Sequence, residues 1–186
     1  PRRTQRLERT VDTLQRRWGP RAIYRPGDAP GAGVPVCSTG FLVLDRALGI
    51  GGLPRGRVSE LIGYGTAGQA TVAARTLAQA QDGDQQVVYI DVGAMVDIDN
   101  LVRCGVRLDD LTILRPKGFA HALAMTGDLL RAGGVAAVVF DRVHDLYLLV
   151  EGDTRALFHR AVRDWIPVLA RSQCALLFIT ETSSPG

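Results

Sequence analysis

Apolar residues recur along this chain with two different periods, and the change of period marks its organisation. Over residues 4 to 18, Leu7, Val11, Leu14 and Trp18 fall at i, i+4, i+7 and i+11. That is one stripe on a helix whose other positions are mostly arginine or polar, and Gly19-Pro20 stops it. Arg25 to Pro35 is broken by Pro and Gly and reads as an exposed linker. From Arg57 onward, short apolar runs alternate with longer amphipathic ones. Strands are predicted at 57–62, 87–91, 111–114, 135–141 and 174–180, with helices at 71–81, 97–104, 118–131 and 154–171. Apolar strands separated by helices imply parallel β-α-β units with right-handed crossovers. Ligands of such sheets bind beyond the carboxyl ends of the strands, where Gly63, Asp91, Asp141 and Thr180 lie.

Length and composition fit one core with an appendage. The 186 residues, 46% of them hydrophobic, divide into a basic helix over 1–25, a linker over 26–36 and a core over 37–186. No apolar run approaches the roughly 18–20 residues of a membrane span, so a cytoplasmic protein with no membrane contact is expected. Cys37, Cys104 and Cys174 stand singly and read as buried apolar fillers. His121, His144 and His159 have no ligand spacing, and no metal site is expected. Eight arginines against Glu8 and Asp12 give the first 25 residues a charge of +6, whereas the whole chain carries +3. Arg2, Arg3 and Arg142 are the candidate contacts for single-stranded DNA phosphates. A solvated basic face is the alternative.

The chemistry-bearing stretch is Gly63-Tyr-Gly-Thr-Ala-Gly68-Gln69-Ala70-Thr71. A strand, a glycine loop and a helix in sequence form the frame of a phosphate-binding loop, G-x-x-x-x-G-K-[ST]. Backbone N–H groups of such a loop surround phosphates, the Lys neutralises them and the hydroxyl ligates Mg²⁺. Gln69 stands at the Lys position and Ala70 at the hydroxyl position. Gly63, Gly65, Gly68, Gln69, Ala70, Thr71 and Asp141 are therefore the candidate residues of a degenerate nucleotide site.

Ser38-Thr-Gly-Phe-Leu-Val-Leu-Asp-Arg-Ala-Leu-Gly49, followed by Gly51-Gly-Leu-Pro-Arg-Gly-Arg57, resembles the run that precedes the phosphate loop in the bacterial RecA recombinase family. Tyr89-Ile-Asp91 resembles its "FID" strand, and Val138-Val-Phe-Asp141 resembles its Walker B strand. The resemblance runs from about residue 5 to 181. It implies an α/β fold: a RecA-like P-loop NTPase core with a mostly parallel sheet flanked by helices, preceded by the basic N-terminal helix.

Departures from the family pattern shape the functional expectation. The family's catalytic Glu corresponds to Gly93, and its γ-phosphate-sensing Gln corresponds to Glu181. With Gln69 and Ala70, four catalytic positions are changed. The expectation is a pseudo-ATPase that is not an enzyme, with no cofactor beyond weak ATP/Mg. It would act as an interaction module in DNA repair and the SOS response, as RecA-like accessory proteins of translesion synthesis (the ImuA type) do. Leu7, Val11, Leu14 and Trp18 would engage another copy, RecA or a translesion polymerase assembly. The alternative is a DNA-dependent ATPase whose missing groups come from a neighbouring subunit.

Overall fold

The computed structural model describes residues 2–19, 23, 33–141 and 153–182. The chain forms two units, Pro1–Gly33 and Val34–Gly186. In the first, helix α1 spans Arg2–Trp18, with Arg16 and Arg17 in its last turn where the helix dipole favours cations. Gly19, at φ 92, closes it by donating its N–H to the Gln15 carbonyl. The expected stripe is present and largely uncovered within this unit: Leu7 is 61% and Trp18 66% exposed.

The second unit is a sheet between two helical layers. In chain order it holds β1 (Val36–Cys37), α2 (Leu42–Ala47), β2 (Leu53–Pro54), β3 (Arg57–Gly63), α3 (Gln69–Ala80), β4 (Gln86–Asp91) and α4 (Ile98–Arg103). A 3-10 turn at Leu108–Asp110 leads into β5 (Leu111–Leu114), α5 (Phe119–Ala132), β6 (Val135–Asp141), α6 (Asp153–Ser172) and β7 (Ala175–Glu181). The main sheet runs β3-β7-β6-β4-β5 and every pairing in it is parallel. β1 and β2 form a separate antiparallel pair. Each of β4, β6 and β7 is buried on both faces, which is why their sequences read as apolar runs rather than alternations.

Side-chain parity assigns the two cores. Val87, Tyr89, Ala137, Val139, Leu177 and Ile179 face Ala73, Ala74 and Leu77 of α3 with Leu101 of α4. The intervening Val88, Ile90, Val138, Phe140, Leu176 and Phe178 face Leu123 and Leu130 of α5 with Trp165 and Leu169 of α6. Phe140 touches Phe119 and Phe178 at centroid distances of 6.1 and 5.2 Å. Trp165 is a core residue, and Cys37, Cys104 and Cys174 are buried as expected.

The expected core elements are all found, with shifted ends. Helix α3 begins at Gln69 rather than Thr71, because Gly68 turns the chain in the left-handed region, at φ 94, and caps the helix directly. Strand β7 ends one residue later than expected, at Glu181. Three short elements gave no periodic signal: β1, β2 and α2. The last is held by a buried carboxylate. Asp45 accepts from the Ser38 hydroxyl at 2.6 Å, the Thr39 N–H at 2.9 Å and the Thr39 hydroxyl at 2.7 Å. Burial pushes its pKa up, but these donors outweigh burial and leave it below the ordinary carboxylate value. Gly52 is needed for space, since a Cβ there would lie 2.4 Å from the Cys37 carbonyl oxygen. The Ser38–Arg57 block therefore packs against α3 and reaches the amino ends of β6 and β7, at the opposite end of the sheet from the glycine loop.

Candidate phosphate-loop site

The parallel sheet brings Gly63, Asp91, Asp141 and Glu181 to one edge: Gly63 stands beside Glu181 and Asp91 beside Asp141 in the strand register. From Gly63 the chain turns through the loop into α3. Gly65 adopts φ 47 and Gly68 φ 94, and the Ala67 N–H donates to the Tyr64 carbonyl at 3.1 Å. The Val72 N–H closes the first helical bond on Gly68 at 3.0 Å. Loop residues 64–67 are exposed, as are Ala70 and Thr71 at the start of α3. No side chain caps α3 and no acidic residue sits in its first turn, so its N-terminal N–H groups remain available to an anion.

Gln69 differs from its loop neighbours. It is 91% buried (9% exposed), and the place where a Gly63 Cβ would lie is 2.4 Å from its Nε2. The carboxamide thus folds back onto the start of the loop. It makes no side-chain hydrogen bond among the described residues, and it brings donors without the positive charge of a Lys. Ala70 offers no oxygen to a metal.

The carboxylates at this edge are held in different ways. Asp91, almost fully buried, accepts from the Met95 N–H at 2.8 Å and pairs with Arg115 Nε at 3.2 Å. It therefore braces the turn after β4. Asp141 accepts from the Tyr89 hydroxyl at 2.5 Å. That partner is a side chain on the neighbouring strand β4. Tyr89 was read only as part of a strand. The signal that could have identified it is a phenol inside an otherwise apolar run, because a buried hydroxyl needs an acceptor. Gly93 is exposed and offers no base. Thr182 ties the end of β7 to the loop, its N–H donating to the Gly63 carbonyl at 2.9 Å.

The site residues named from the sequence fall into two groups. Gly63, Gly65, Gly68, Gln69, Ala70, Thr71 and Asp141 gather at the carboxyl edge of the sheet. Leu7, Val11, Leu14 and Trp18 share α1, and in the same unit the Gln15 side chain donates to the Ile23 carbonyl at 3.0 Å. Arg142 and the side chains of Arg2 and Arg3 lie outside the described residues. The backbone of the loop suits an anion. The Mg²⁺ of a bound nucleotide does not fit the residues present, because the hydroxyl position is Ala70 and the Asp141 carboxylate is engaged by Tyr89. No group of three or more metal-ligating side chains occurs among the described residues, and none of the described helices is long and apolar enough to cross a membrane.

Residues 5–183 match the family model of the RecA N-terminal domain. The protein RecA of Thermus aquaticus is 35% identical over 185 residues, covering 94% of this chain and 54% of its own. The RecA of Chloroherpeton thalassium is 33% identical over 185 residues, with 94% and 52% covered. That of Gluconobacter oxydans is 33% identical over 189 residues, with 96% and 55% covered. The chain spans about half the length of these curated relatives. The matches correct one expectation. The four altered positions had suggested that the chain is not an enzyme, yet nearly its whole length aligns with RecA proteins, whose family is one of ATPases. The comparison therefore points to an enzyme, over the N-terminal part of the relatives that it covers.

Proposed function

The chain belongs to the RecA family, and from that premise we propose that it works in DNA recombination and repair as one subunit of a RecA-type assembly on single-stranded DNA. Its loop would supply the backbone cradle for a phosphate, and a neighbouring subunit would supply the positive charge that Gln69 lacks. The observation carrying this reading is the contrast within one loop: Gly63, Gly65 and Gly68 keep an anion-binding backbone, while positions 69 and 70 lack the charge and the hydroxyl. Phosphoryl transfer depends on positioning and charge neutralisation, so a cation from a neighbour can complete a cradle that holds the phosphate.

The uncovered stripe Leu7, Val11, Leu14 and Trp18 is the contact we assign to that neighbour: a second copy, RecA itself or a translesion polymerase assembly of the damage response. The arginines around the stripe would add contacts to DNA phosphates, and the setting is the cytoplasm. The test is phosphate release from ATP on single-stranded DNA. We expect DNA to stimulate release and Asp141→Ala to abolish it. A peptide of residues 1–25 should compete with assembly. Release that ignores both DNA and Asp141→Ala would refute the proposal.

A further inference from the structure

The family's magnesium is the part of the site that this chain does not fit, and the misfit has a specific author in Tyr89. Val87, Tyr89 and Asp91 on β4 share a face with Ala137, Val139 and Asp141 on β6, the face covered by α3. Tyr89 stands opposite Val139, so Asp141 is its diagonal neighbour toward the carboxyl edge, within reach of a long side chain. The Tyr89 ring is 3% exposed and its hydroxyl donates to Asp141 Oδ2 at 2.5 Å. The backbone near this carboxylate is fixed too, since the Val92 N–H donates to the Asp141 carbonyl at 2.8 Å.

We propose that Tyr89 is a latch on Asp141: it holds the carboxylate inside the sheet edge and keeps it from ordering a divalent cation at the loop. The phenol occupies Oδ2 and fixes the direction of the carboxylate, so phenol and cation compete for how its remaining lone pairs are aimed. A hydrogen bond to an ionised carboxylate from a buried, well-packed ring is strong enough to set that competition. Gln69 and Ala70 then account for only part of the altered site, and restoring them leaves the latch closed. Other charged groups at this edge do not replace Tyr89. Asp91 is paired with Arg115, which follows β5 at the far edge of the sheet, and Glu181 adds negative charge beside Gly63. Tyr89 is a positioning residue in this scheme. It rests on the proposed function, because release of Asp141 becomes a step that assembly must accomplish before a cation can be placed.

The experiment uses nucleotide binding by the isolated chain, so its outcome does not depend on assembly or DNA. Affinity for fluorescently labelled ADP is measured in EDTA and in Mn²⁺ for Q69K/A70T and for Q69K/A70T/Y89F, with thermal melting as the folding control. We expect Mn²⁺ to leave the double variant almost unchanged and to tighten the triple variant about tenfold or more. Should the Phe variant fail to fold, Tyr89→Leu in the same background gives the same comparison. A double variant that gains a tenfold Mn²⁺ effect by itself would overturn the latch, and so would a triple variant no more Mn²⁺-dependent than the double. Either result leaves DNA-stimulated phosphate release by the unaltered protein as a separate question.

Discussion

Asp45 accepts three hydrogen bonds from Ser38 and Thr39 while only 8% exposed, so its charge is held by donors rather than by water. Asp45→Ala would strand those donors, at a cost of about 3 kcal/mol read as a lowered denaturation midpoint. Its folded pKa is depressed, so its contribution is complete above the unfolded value of about 3.9 and is lost as pH falls through the folded value. Asp45→Asn should remove that part of the acid-side loss, measurable by melting between neutral and acid pH. Cys174 behaves in the opposite way. Burial pushes its thiol up to about 12, despite the nearby Arg55, so it stays neutral and unreactive toward thiol reagents in the folded chain. At Gly52 the clash with the Cys37 carbonyl makes Gly52→Ala destabilising, by about 1–3 kcal/mol in the same assay. Glycine loop and strand-end carboxylates were legible in the sequence because each sits at a fixed offset from an apolar run. The Asp45 network and the Tyr89–Asp141 bond were not, because both depend on which residues the fold brings side by side.

Among the elements, β6 has the most at stake, since it lies at the centre of the sheet and its Phe140 is fully buried between the aromatic rings of the second core. Phe140→Ala should cost about 3–5 kcal/mol and lower the melting temperature more than any single change in α1. Every long core element was legible, because strands buried on both faces and helices with one apolar face leave strong periodic patterns. Ends were less legible: the left-handed turn at Gly68 starts α3 two residues early, and no periodicity reports a backbone angle. Helix α2 escaped for a different reason. Its Leu42 and Val43 are exposed, so its six residues carry no inward stripe. In α1 the stripe was plain, yet its own unit leaves Leu7 and Trp18 largely exposed. Trp18→Asp should therefore change the stability of the core by less than about 0.5 kcal/mol while weakening self-association, as sedimentation would report.

At the scale of the whole molecule, fold and family were readable from the sequence, but the inference that altered residues exclude an enzyme did not survive comparison with RecA proteins. It treated the loop as a complete site in one chain. A cradle without its cation is compatible with a site completed across a subunit boundary, and that arrangement has a kinetic signature. The most direct test is the rate of phosphate release per subunit on saturating single-stranded DNA, measured over a wide range of protein concentration. Completion by a neighbour predicts a rate per subunit that rises with concentration to a plateau, and a loss of that rise with Trp18→Asp. A rate per subunit that stays constant across the series, or no release at any concentration, would contradict it.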